Sequence, residues 1–160
     1  MYYITPLINN DGTIENSKNI IPVLPNLFAK FFCPSKVKYW YIGASVIIST
    51  EDFNRIGMWN ERYFMYSEDL DLFYKIHENG ITIKCLNSEI FHLGGGCSQN
   101  VWNNLERDVK KENSLYLFFK LNRTKTEYFI YKLLLFVHGL IFRPLKTLYL
   151  IKVFKRLFFN

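Results

Sequence analysis

The chain has 160 residues, is 49% hydrophobic and carries a formal net charge of +6; it is long enough for one domain with a real core and a tail, and too short for two large domains. The positive balance permits anionic partners such as phosphates, acidic lipid head groups or nucleic acid without choosing among them. Cys33, Cys85 and Cys97 form no close pair and are odd in number, so a zinc knuckle, a thioredoxin-like motif and a disulfide framework are not expected, and a reducing cytoplasm is the simplest compartment.

The N-terminus, Met1-Tyr2-Tyr3-Ile4-Thr5-Pro6, has neither a basic segment nor a long apolar core, so no signal peptide is expected. Residues 3–8 read as a short strand, ended by Asn9-Asn10-Asp11-Gly12, whose residue types favour a turn with positive φ. Thr13 to Ser35 is poorly periodic and contains Pro22, Pro25 and Pro34. It is expected to be a surface connection with one helical turn around Leu27 to Phe32 and no chemistry.

Tyr39 to Ser49 is aromatic and β-branched, interrupted by Gly43-Ala44, which suggests a strand with a close backbone approach. The small residues leave room for a ligand, or serve only packing. Thr50 is a candidate cap for a short helix over Glu51 to Ile56, stopped by Gly57, and Met58 to Tyr66 is an aromatic loop.

The next stretch, Ser67-Glu68-Asp69-Leu70-Asp71-Leu72-Phe73, reads as a helix start with Ser67 as N-cap and three acids in the first turn, where exposed N–H groups favour negative charge. These carboxylates are expected to stay ionised. Leu72, Phe73 and Ile76 follow Asp69 at helical spacing, so Asp69 should face inward, Asp71 should point elsewhere, and Gly80 should close the helix. An ionised carboxylate held against the protein body suits a general base; ordinary helix capping is the alternative.

Ile81 to Cys85 alternates as a half-buried strand does, and Ile90-Phe91-His92 follows after a turn. His92 precedes Leu93-Gly94-Gly95-Gly96-Cys97-Ser98, a run that lets the backbone come close to something bulky or charged; it is either a structural histidine or a ligand. From Trp102 the chain turns helical and basic. Tyr128 to Phe142 and Leu145 to Phe159 are apolar segments broken by Arg143-Pro144 and carrying Lys132, Lys146, Lys152, Lys155 and Arg156. Too short and too charged for confident membrane spans, they are expected to be interfacial amphipathic helices or helices packed on the domain or on a partner.

The order of these motifs resembles the C-terminal half of family 2 glycosyltransferases, in particular the rhamnosyltransferase-like branch that builds cell-surface polysaccharides. The resemblance is carried by Asp11-Gly12-Thr13-Ile14, by Gly43-Ala44-Ser45-Val46-Ile47-Ile48, by the block from Ile56 to Leu72 and by His92-Leu93-Gly94-Gly95. Asn60 stands where the family usually has aspartate, and Trp59 where it has phenylalanine. The resemblance implies an α/β fold: a partial A-type glycosyltransferase fold with a mixed sheet over residues 1–123, followed by amphipathic helices over 124–160. It implies Asp69 as catalytic base, Glu68, Trp40, Gly43, Ala44 and Tyr66 at the acceptor site, and His92 as ligand of a divalent metal, Mn²⁺ or Mg²⁺.

The implied activity is inverting transfer from a nucleotide-sugar donor to a saccharide or lipid-linked saccharide acceptor. The expected location is cytoplasmic, peripheral at an anionic inner membrane face. No D-x-D motif precedes Gly43, so the chain is expected to lack the donor-binding half and to be inactive alone. The rival expectations are a non-catalytic binding module derived from such an enzyme, and a metal-dependent hydrolase using Asp69, Glu68 and His92. Nucleic acid is not an expected partner, because the basic residues cluster in an apolar tail rather than among solvent-facing aromatics.

Overall fold

A computed structural model describes residues 2–15, 17–93 and 101–158. Among the described residues there are seven short strands: β1 (Tyr2–Ile4), β2 (Leu7–Ile8), β3 (Lys18–Ile20), β4 (Tyr39–Tyr41), β5 (Val46–Ile48), β6 (Ile83–Cys85) and β7 (Ile90–Phe91). Between and after them lie helices α1 (Leu24–Phe32), α2 (Thr50–Arg55), α3 (Glu68–Glu78), α4 (Asn104–Asn122), α5 (Lys125–Phe142) and α6 (Pro144–Phe158). In the central sheet β1 lies between β5, antiparallel to it, and β6, parallel to it. Two smaller ladders join β2 to β7 in parallel and β3 to β4 antiparallel. The class is therefore α/β with a mixed sheet.

Helix α3 organises the core because two of its faces are buried. Leu70 and Tyr74, one turn apart, enter a cluster with Ile21, Tyr63, Phe118, Phe119 and Tyr128, while Leu72, Phe73 and Ile76 enter another with Tyr2, Ile4, Ile56 and Ile81 beside the central sheet. The helix ends as its glycine requires: Gly80 has φ 64°, its N–H donates to His77 O at 3.2 Å, and the Ile81 N–H reaches Ile76 O at 3.0 Å. This pairing satisfies two carbonyls that the helix end would leave open.

Several local expectations are corrected. Residues 3–8 do not make one strand: the chain leaves the central sheet after Ile4, and Leu7 pairs with Ile90 in another ladder, since Pro6 supplies no N–H donor. Tyr39 to Ser49 likewise splits at Gly43 into β4 and β5, which belong to different sheets. The short second helix is capped by Ser49, whose Oγ accepts the Asp52 N–H at 3.1 Å, one residue earlier than expected. Ser67 precedes α3 in the left-handed region at φ 61° and makes no side-chain cap.

The stretch from Thr13 to Ser35 is more than a surface connection, because it holds β3 and the whole of α1. Pro25 lies in the first turn of α1, where its missing N–H costs nothing. Buried Asn26 then ties the segment down, donating to Ile21 O and Lys38 O and accepting the Lys38 N–H.

Helix α4 starts with a reciprocal capping box between Asn103 and Glu106, and α4, α5 and α6 pack against one another. Glu127 on α5 is buried, accepts the Leu24 N–H at the start of α1 and pairs with Arg123. Tyr128 is fully buried in the same cluster as Phe119, with Phe154 of α6 packed against it. Lys132, one of the cations of the segment read as an interfacial helix or a helix packed on the domain, pairs with Glu112 at 2.7 Å, both side chains nearly covered. Toward solvent, Leu133, Leu140, Ile141 and Leu148 remain exposed, while the side chain of Lys146 is not among those described. Among the described residues no helix is long and apolar enough to cross a membrane.

Candidate active site

The approach to α3 is an uncommon piece of backbone. Tyr66 and Ser67 both have positive φ, 68° and 61°, a conformation that costs a side-chain-bearing residue roughly 1–2 kcal/mol. The corner turns the chain sharply into α3 and brings Tyr66, Glu68 and Asp69 to one cavity of about 890 Å³. Trp40 and Ile42 line it from the β4 side, Glu15 and His92 from the two-stranded β2–β7 region, Arg107 and Lys111 from α4, and Tyr131 from α5.

Asp69 is fixed by two backbone donors: the Leu70 N–H reaches Oδ1 at 2.8 Å and the Gly43 N–H reaches Oδ2 at 3.3 Å. Gly43 is favoured by space rather than by its φ, because a Cβ there would stand a tight 3.2 Å from the Asp69 Cβ, which would have to give by a few tenths of an ångström. The reading of Gly43 as a close backbone approach thus finds its partner in Asp69. Burial pushes the carboxyl up to about 6; the Leu70 and Gly43 N–H groups pull against that rise, and the nearby Glu68 charge adds to it. The carboxyl therefore titrates above the ordinary aspartate range while remaining ionised at neutral pH, because the loss of water outweighs the helix end. A carboxylate titrating near 6 is better matched to proton abstraction at neutral pH than one near 4.

Asp71 points away from the Asp69 cavity, as expected of another face of the helix, but into the protein and not into solvent. It is 1% exposed, accepts from the Tyr63 hydroxyl at 3.2 Å and from Asn122 at 2.6 Å, and pairs with Lys75 at 2.8 Å. It is a buried tie between the loop, α3 and α4. A helix whose two opposite faces are covered turns nearly every position of its first two turns inward, which the single apolar stripe did not reveal.

Among the expected site residues, Asp69, Glu68, Tyr66, Trp40 and His92 share the cavity; Gly43 supports Asp69 from behind. Ala44 is exposed and is not part of the lining. The Nδ1–H of His92 donates to Glu15 Oε2 at 2.7 Å, so in the neutral imidazole it is Nε2 that carries the lone pair. A carboxylate behind an imidazole is a common orienting arrangement for a metal ligand. Among the described residues no group of three or more His, Cys, Asp and Glu is arranged to hold a metal ion. The described residues therefore do not by themselves make a metal site. The expected Gly94-Gly95-Gly96-Cys97-Ser98 segment lies outside the described residues.

Three lining residues were not singled out for chemistry in the sequence. Glu15 comes in because its N–H pairs with Leu7 O beside the Ile8–Ile14 bridge. Arg107 and Lys111 lie one helical turn apart on α4, a basic i,i+4 pair that the helical pattern could have exposed as a shared face. No protein-family model, curated protein or solved structure matches the chain.

Proposed function

We propose that this protein takes part in inverting sugar transfer from a nucleotide-sugar donor to a saccharide or lipid-linked saccharide acceptor in cell-surface polysaccharide assembly, on part of an A-type glycosyltransferase fold. The observation that carries the reading is Asp69: a carboxylate with its pKa raised to about 6, anchored by Gly43 and Leu70, in a cavity large enough for a sugar and its substituents. In the proposed step Asp69 takes the proton of an acceptor hydroxyl whose oxygen forms the bond to the anomeric carbon. The bond from that carbon to the donor phosphate breaks, and the nucleoside diphosphate leaves with its electron pair. Trp40 and Tyr66 line the cavity as aromatic contacts for the acceptor, and Glu68 supplies a further hydrogen-bond acceptor atom. His92, oriented by Glu15, would give a Mn²⁺ or Mg²⁺ ion one nitrogen; when bound, such an ion neutralises charge on the departing diphosphate.

The exposed apolar residues of α5 and α6, flanked by Arg143, Lys152, Lys155 and Arg156, support peripheral attachment at an anionic cytoplasmic membrane face. Activity is tested in the organism that carries the gene. Chromosomal Asp69→Asn should reproduce the loss of surface glycan caused by deleting the gene. Unchanged glycan in the deletion strain would defeat the proposal, and donor-dependent release of free sugar without an acceptor would assign hydrolysis instead.

A further inference from the structure

The cavity around Asp69 contains a charge pattern that proton abstraction does not use. Glu15, Glu68 and Asp69 contribute acids to the lining, and α4 contributes two cations, Arg107 and Lys111. Of the cavity's lining atoms, the Arg107 Nε, the Tyr66 hydroxyl and the Glu68 Oε2 are buried without a hydrogen-bond partner. The other end of the Arg107 guanidinium donates to a neutral group, Asn104 Oδ1. Lys111 sits over the Tyr66 ring at 5.5 Å, and its pairing with Asp108 is a loose surface contact of 3.8 Å.

Arginine and lysine only donate, and a buried donor without a partner is costly, more so when charged. Two cations and a phenolic hydroxyl that line one cavity would be satisfied together by a ligand with several anionic acceptor oxygens, which a phosphate supplies and a neutral sugar does not.

We propose that Arg107 and Lys111, with the Tyr66 hydroxyl, form a phosphate subsite in the same cavity as Asp69, so that the substrate brought to Asp69 carries a phosphate ester or diphosphate. This deepens the sugar-transfer reading and rests on it for the identity of the site, while its binding chemistry can be measured without turnover. The phosphate belongs either to a nucleoside diphosphate or to an isoprenoid diphosphate, and the two sources share the same contacts.

The test is calorimetric titration of the full chain with inorganic diphosphate, uridine diphosphate and farnesyl diphosphate, at low and high salt, without added metal. Salt-weakened binding is expected, reduced at least roughly tenfold by Arg107→Gln and by Lys111→Gln. Lys120→Gln, at an exposed position of the same helix outside the cavity, should bind like the parent. Preference for uridine diphosphate over inorganic diphosphate assigns the phosphate to a nucleotide, and preference for farnesyl diphosphate assigns it to a lipid; either supports the subsite.

No binding of any probe at millimolar concentration overturns it. So does parent-like affinity in both variants, which would leave Arg107 and Lys111 as balance for the neighbouring acids. If Arg107→Gln does not fold, the exposed Lys111 carries the test together with Tyr66→Phe. Asp69→Asn separates the two readings: it should bind diphosphate at least as well as the parent while losing transfer. Loss of diphosphate binding in the cation variants with no effect of Asp69→Asn on transfer would sink the base assignment and leave the subsite standing.

Discussion

Replacing the proposed base should make the protein more stable, and the gain should depend on pH in a defined way. An aspartate ordinarily titrates near 3.8, and burial raises Asp69 to about 6. Below about pH 4 the carboxyl is protonated in both the folded and unfolded chain and contributes nothing to the difference. As pH rises from about 4 through 6 the unfolded chain releases its proton first, so stability is lost across that window. The full cost above pH 6 is about two pKa units, or about 3 kcal/mol. Asparagine imitates the protonated acid, so Asp69→Asn should melt roughly 6–12 °C above the parent at pH 8 for a chain of this size. At pH 4 the two should coincide. Thermal melts of both proteins across this range are the assay. A difference that does not change with pH, or an Asp69→Asn protein less stable than the parent at pH 8, would refute the burial argument.

Asp71→Ala should behave in the opposite manner, because it strands Lys75 and leaves Tyr63 and Asn122 without their shared acceptor. A loss of about 3–5 kcal/mol in urea unfolding is expected, with turnover per folded molecule unchanged. Gly43→Ala introduces a Cβ against Asp69 and should slow transfer by roughly tenfold through displacement of the carboxylate, with only a small change in melting temperature. The full chain should float with anionic vesicles and be released by high salt, and Lys152→Gln, Lys155→Gln and Arg156→Gln together should abolish this, at ~1 kcal/mol per cation. Equal flotation with neutral vesicles would contradict the electrostatic part. Truncating before Tyr128 is no substitute, because Tyr128 lies in the core.

The sequence made α3 legible from its two ends: an acidic first turn, an apolar stripe through Leu72, Phe73 and Ile76, and a glycine that needs positive φ. Gly43 was legible as a close approach, although its partner was not. What stayed hidden depends on contacts distant along the chain. Strand β3 exists through its pairing with β4, and Glu127 caps α1 from α5, more than a hundred positions later. The raised pKa of Asp69 and the burial of Asp71 follow from helices and loops packing over both sides of α3, and local periodicity cannot report a second covered face. The left-handed corner at Tyr66 and Ser67 escaped because neither residue type announces it. Glu15 reached the cavity only through the irregular pairing beside β2.

The most direct test of Asp69 as the base is the pH dependence of sugar transfer in membranes from cells carrying the parent gene or Asp69→Asn. The parent rate should rise with pH and level off above an apparent pKa near 6, since only the ionised carboxylate accepts the acceptor's proton, and Asp69→Asn should lower it by orders of magnitude throughout. A parent rate that is flat between pH 5 and 8, or a variant within a few-fold of the parent, would contradict the assignment.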